Sequence, residues 1–184
     1  MKNETIKSFL VVTLVLVFCG VLLTVLSNLL KVSDSEKILT TVNEIYGENN
    51  YTATTENINS NFSADYGTID AVYKISNGDY LILSTGKGGY KNGTVTFYTC
   101  FTIQNNDIFV YKTLYESSKN QTFINVIEDI TSTYTNKEVF DAILLDNNYS
   151  GNCLISGATP SMSHLASNNA VRVAGNYLKF TLGV

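Results

Sequence analysis

Three hydroxyl side chains, Ser156, Thr159 and Ser161, fall within the stretch S-G-A-T-P-S, together with Gly157, Ala158 and Pro160, the only proline of the chain. Proline suits the first position of a helix, because its φ is already helical and its missing N–H would have had no partner there. Thr159 is then the N-cap residue, worth about 1 kcal/mol as a cap alone. A helix start is also an anion site, with free N–H groups and a partial positive charge, and Ser156, Gly157 and Ala158 add almost no bulk around it. Phosphate chemistry fits such a place. Acyl transfer does not, since Ser156 or Ser161 with His164 lacks a G-x-S-x-G elbow and a third member. His164, a few residues into the helix, is expected to be partly exposed and within reach of a bound anion.

The remaining reactive side chains are few. Three cysteines and one histidine, without C-x-x-C or H-E-x-x-H, give no metal-ligand pattern. Cys19 lies in an apolar run, and Cys100 and Cys153 are expected to be two separate, partly buried thiols, with a disulfide between them as the alternative.

The elements that position these residues follow from periodicity. Apolar residues at helical spacing run over residues 35–47, and residues 48–65, rich in Asn, Thr and Ser, read as an exposed loop. From Thr68 the pattern alternates: TIDAVYKI, DYLILST, TVTFYTCFTI and DIFVYKTLY, separated by SNG, GKGGYKNG and QNN, predict an antiparallel meander. Gly78, Gly93 and the pair Asn105-Asn106 are expected to make its turns, because Gly and Asn tolerate positive φ. Helical spacing returns with Phe123, Val126, Ile127 and Ile130, and again with Val139, Phe140, Ile143 and Leu144. A last helix is predicted over residues 160–180.

Ahead of all this, residues 9–30 carry no charge, and 22 residues at about 1.5 Å each reach about 33 Å, enough to cross a bilayer. A secretory signal is the alternative, but the run exceeds the usual roughly 7–15 residues and no small-x-small site follows. Lys2 and Lys7 before the span, and Asp34 and Glu36 after it, place residues 1–8 in the cytoplasm by the positive-inside rule and the rest outside. Beyond Lys31, nine Lys or Arg face fifteen Asp or Glu. A net charge near −6 excludes a nucleic-acid binder, which needs cations to neutralise phosphates. At 184 residues the chain holds one membrane element and one ordinary core. The predicted class is α+β: a transmembrane helix followed by one domain with an antiparallel β-meander packed with helices.

The S-G-A-T stretch resembles the flavin attachment motif of the FMN-binding domain family, found in the C subunit of the sodium-translocating NADH:quinone reductase and the G subunit of Rnf complexes. The plan of one N-terminal span and one outer domain is similar to that family's, and GKGGYKNGTVTFYTCFTIQNNDI, residues 86–108, looks like its glycine-rich segment and hairpin. The likeness covers roughly residues 68–180. It implies FMN joined through its phosphate to the Thr159 hydroxyl by a dedicated flavin transferase, with Ser156, Gly157, Ala158, Ser161, Gly88, Gly89, Tyr90 and Glu116 around the cofactor. Tyr98, Tyr115 and Tyr149 are further candidates to border the flavin, and Lys87 to contact an anion. Electron relay among the subunits of a membrane redox complex, or in an extracellular electron-transfer chain, is the implied function. On this reading residues 31–67 are a helix and polar linker, and 68–184 the FMN-binding-like domain. Two departures are visible: Cys153 stands where the family has aspartate, and Glu116 is matched to an E-T-P-G-L-G segment whose proline and glycines are missing here. A cofactor-free relative, acting as a structural or binding module on the outer membrane face, is the other reading these residues allow.

Overall fold

The computed structural model describes residues 2–29, 33–47, 50–121, 130–138 and 160–184. The chain divides into two compact units, Met1–Thr40 and Thr41–Val184. In the first, helix α1 (Lys2–Leu29) contains a 21-residue apolar stretch, Ile6–Leu26, long enough to cross a membrane. Its large side chains are exposed, Phe9 to 75%. Two hydroxyls inside it turn back on their own helix: Thr13 donates to the Phe9 carbonyl at 2.9 Å and Thr24 to that of Gly20 at 2.8 Å. Each polar group is thus satisfied locally, which a hydrocarbon surrounding demands.

Helix α2 (Asp34–Tyr46) opens with a capping box. The Ser33 N–H donates to Glu36 at 3.0 Å, and the Glu36 N–H donates back to the Ser33 hydroxyl at 3.3 Å. Gly47, at φ 80°, ends the helix.

The second unit is built on a six-stranded antiparallel sheet in simple sequence order. Its strands are β1 (Ala53–Glu56), β2 (Gly67–Ile75), β3 (Tyr80–Gly89), β4 (Gly93–Gln104), β5 (Asp107–Lys119) and β6 (Lys137–Glu138). The four central strands are those the alternation predicts. Of the two outer ones, β1 corrects the expectation of a loop throughout residues 48–65. There, β1 pairs with β2, the Asn59 N–H donates to the Tyr177 hydroxyl at 3.0 Å, and Phe62 packs edge-on against the Tyr177 ring. A polar segment joined the domain because backbone pairing and one aromatic anchor suffice to hold it. The domain therefore begins before residue 68.

Helix α3 (Pro160–Leu182) lies on one face of the sheet. The core there joins Val72, Ile82, Val95, Phe97 and Phe101 of the strands to Ala166, Ala170, Ala174 and Tyr177 of the helix. Ile130 and Tyr134 are buried in the same cluster, so Ile130 of the predicted helical run does serve the core. The rest of that run, residues 122–129 and 139–144, lies outside the described residues. Alternation sends Ile75, Leu81, Tyr98 and Cys100, all buried, to the opposite face. The described architecture is α+β, with a helix capable of crossing a membrane at its start.

Candidate functional site

Small residues govern how α3 meets the sheet. A Cβ on Gly86 would overlap the Ala166 carbonyl and the Ala170 amide, so the helix backbone rests directly on the strand. Ser84 extends the contact by donating to the Ala170 carbonyl at 2.9 Å. Two residues along the strand, Gly88 at φ 102° faces Leu165 and Asn169, and Asn169 donates to the Lys87 carbonyl at 2.8 Å. The glycine-rich stretch is therefore the end of strand β3 seated on the early turns of α3, and not a free loop.

Gln121 closes the other side of this junction. Ser163, in the first turn of α3, donates to the Gln121 carbonyl oxygen at 2.5 Å, and the Gln121 amide donates to the Lys119 carbonyl at 3.3 Å. Side chains on Gly89 or Gly93 would collide with that amide. Gly93 is extended, φ −71°, and the positive φ of the turn falls on Lys91 and Asn92 instead. The expectation that Gly93 makes the turn through its φ is thus corrected: it is needed for room beside Gln121. Gln121 itself carries no sequence signal, because its position depends on strand β5 ending beside the start of helix α3.

Ser156, Gly157, Ala158 and Thr159, together with Tyr149 and Cys153, lie outside the described residues. Pro160 does begin α3, and Ser161 lies in its first turn. Gly88 adjoins the helix and Gly89 faces Gln121, whereas Tyr90 is 43% exposed with the Lys91 ammonium 5.3 Å from its ring centroid. Glu116 is half-buried on β5, between Tyr115, which pairs with Phe97, and Ser117, which pairs with Thr96. Tyr115 packs on the core of the α3 side, and Tyr98 is buried on the face away from α3, so those two do not share one site. Lys87 is exposed, with its N–H donating to the Tyr66 carbonyl at 2.8 Å. His164 departs from expectation: it is only 7% exposed, and burial pushes its pKa down, favouring the neutral imidazole.

A second polar cluster, which the residue pattern does not announce, occupies the opposite face. The Tyr46 hydroxyl donates to the Asp79 carboxylate and lies 3.1 Å from the Cys100 sulfur. Asp79, 8% exposed, also accepts from the Asn77 amide at 2.9 Å. The Tyr46 ring stacks on Tyr111, centroids 5.1 Å apart, and meets Tyr51 edge-on at the same distance. Burial and the neighbouring carboxylate raise the Tyr46 pKa, and burial pushes the Cys100 thiol up to about 12. Cys100 is a free, fully buried thiol and chemically quiet, since the thiolate is the reactive form. This cluster fastens the end of α2 to the sheet. Among the described residues no group of three metal-ligating side chains occurs.

With this geometry in view, comparison with protein-family models, curated proteins and solved structures finds no match to the chain.

Proposed function

We propose that this chain is a membrane-anchored, extracytoplasmic flavoprotein that carries FMN on Thr159 through a phosphoester and relays electrons within a membrane redox complex of the Rnf or sodium-pumping type. One observation carries the reading. The glycine-rich end of β3 and the helix that directly follows S-G-A-T, some 70 residues apart in the chain, are packed against each other through Gly86 and Gly88. The glycine-rich segment is therefore packed against the helix whose first residue, Pro160, follows S-G-A-T in the chain. The start of α3 offers free backbone N–H groups and the positive end of a 23-residue helix to a phosphate. Among the described residues the space beside Gly86, Gly88 and Gly89 is taken up by Ala166 and Ala170, by Leu165 and Asn169, and by Gln121, so the reading rests on the helix start as a phosphate site and not on a cradle for the ring.

Bound FMN would supply one- or two-electron chemistry, with the protein supplying position and electrostatics. Thr159 is an attachment point on this reading, not a nucleophile in turnover. A covalent link prevents loss of the cofactor to an exterior without free FMN. The test is production of the full chain alongside a competent flavin transferase. The expected product is yellow, absorbs near about 450 nm as flavins do, keeps its colour through acid precipitation, and carries an FMN-sized mass on the peptide containing Thr159. Thr159→Ala should abolish all four. A colourless wild-type product from the same cells overturns the proposal and leaves the cofactor-free binding module as the account of the fold.

A further inference from the structure

Three Asn-x-Ser/Thr triplets lie beyond the apolar span and wholly within the described residues: Asn50-Tyr51-Thr52, Asn61-Phe62-Ser63 and Asn92-Gly93-Thr94. The fold treats them alike. In each the middle residue is held and the asparagine before it is exposed: Tyr51 meets the Tyr46 ring edge-on with centroids 5.1 Å apart, Phe62 meets Tyr177 at 5.3 Å, and Gly93 is buried against Gln121. Thr52 and Ser63 are exposed as well, and Thr94 is half-buried. An anchored middle residue turns its two neighbours outward, so carboxamide and hydroxyl are presented on the same side. All three triplets sit where an element begins or the chain turns. Thr52 leads into β1, its N–H donating to the Ser76 hydroxyl at 3.1 Å; Asn61 lies in a turn closed by the Phe62 N–H on the Asn59 carbonyl at 3.1 Å; and Asn92, at φ 57°, is in the turn between β3 and β4. The buried asparagines differ, since Asn168 and Asn169 are followed two residues on by Ala170 and Val171.

Resting on the outward orientation proposed above, and not on the flavin, we infer that Asn50, Asn61 and Asn92 are acceptors for N-linked sugar. The co-reactant is a sugar carried on a lipid phosphate, delivered by a transferase on the outer side that reads the asparagine and the hydroxyl two residues on. The Asn amide nitrogen attacks C1 of the sugar. The N–C1 bond forms, the bond from C1 to the phosphate oxygen breaks with its electron pair staying on the phosphate, and one amide proton passes to a base of the transferase. An amide nitrogen is a weak nucleophile, its lone pair being delocalised into the carbonyl, so the step belongs to asparagines that an enzyme can engage and not to exposed asparagines in general. A sugar is bulky and solvated, and at these exposed positions it is accommodated without displacing a packed side chain.

The experiment is peptide mass spectrometry of the full chain isolated from the membranes of the organism that makes it, before and after enzymatic removal of Asn-linked sugar. Intact cells are treated in parallel with an impermeant amine reagent. Sugar masses are expected on the peptides holding Asn50, Asn61 and Asn92, and each Asn→Gln variant should lose one of them. Thr52→Ala, Ser63→Ala and Thr94→Ala should each lose the sugar while keeping the asparagine. Asn105 and Asn106, exposed in the turn between β4 and β5 but followed two residues on by Asp107 and Ile108, should stay bare. Sugar on those two, or on the alanine variants, overturns the assignment to the triplets, and a bare asparagine in any triplet overturns it there. Three bare triplets, with the lysines from Lys37 onward labelled from outside, overturn the inference and leave the outward orientation standing. Bare triplets with those lysines unlabelled overturn both.

Discussion

The Tyr46 hydroxyl has two partners, the Asp79 carboxylate and the Cys100 sulfur, and a single oxygen therefore decides whether that buried carboxylate keeps its donor from α2. Tyr46→Phe preserves the stacking on Tyr111 and removes only this donor. A loss of about 1–3 kcal/mol is expected, the cost of leaving a buried charged acceptor short of one hydrogen bond, measurable by urea unfolding. His164 makes the second prediction at this scale. Burial lowers its pKa in the folded state, so its contribution to stability is complete above the unfolded value of about 6.5 and is lost as pH falls through the folded value. The unfolded chain binds the proton that the folded one resists. His164→Gln should flatten the dependence of the thermal midpoint on pH below about 6.5 relative to wild type. An identical slope in both proteins would show that the imidazole does not control acid sensitivity.

Among the elements, the contact between β3 and α3 is the most constrained. A methyl group at Gly86 cannot be absorbed by a side-chain rotation, because the atoms it would meet belong to the backbone of Ala166 and Ala170. The helix itself would have to move. Gly86→Ala is expected to cost about 3 kcal/mol, the upper part of the range for overpacking, and to lower the thermal midpoint by roughly 10 °C for a domain of this size. At Gly78, in the open turn between β2 and β3 with φ 101°, an added Cβ meets nothing, and the penalty comes only from the backbone conformation. Gly78→Ala should therefore cost about 1 kcal/mol, clearly less than Gly86→Ala. Equal losses at the two positions would argue against backbone contact as the cause.

For the whole molecule, a helix long and apolar enough to cross a membrane is followed by acidic sequence. The stretch Ile6–Leu26 is long and apolar enough to span, with the Thr13 and Thr24 hydroxyls satisfied inside the helix. The proposed orientation, with Lys2 and Lys7 inside, places the lysines from Lys37 onward on the outer side. An impermeant amine reagent applied to intact cells is expected to label those lysines, and to reach Lys2 and Lys7 only after lysis. Labelling of the opposite set would reverse the orientation and remove the setting in which a covalent flavin has its advantage.

Much of this protein was determined by local chemistry and is readable from order alone. A charge-free run of 22 residues, helical spacing over residues 35–47, four alternating strands and a lone proline each act through neighbours in the chain, so periodicity and residue type suffice to place α1, α2, β2 to β5 and the start of α3. The tertiary structure decided what depends on segments far apart meeting. It drew residues 53–62 into the sheet and against Tyr177, made Gly86, Gly89 and Gly93 a matter of space more than of turn geometry, buried His164, and joined Tyr46 to Asp79 and Cys100. Sequence periods report which face of an element is apolar. They do not report which other element covers it, and that choice sets how closely two backbones approach and which polar groups are left to find one another.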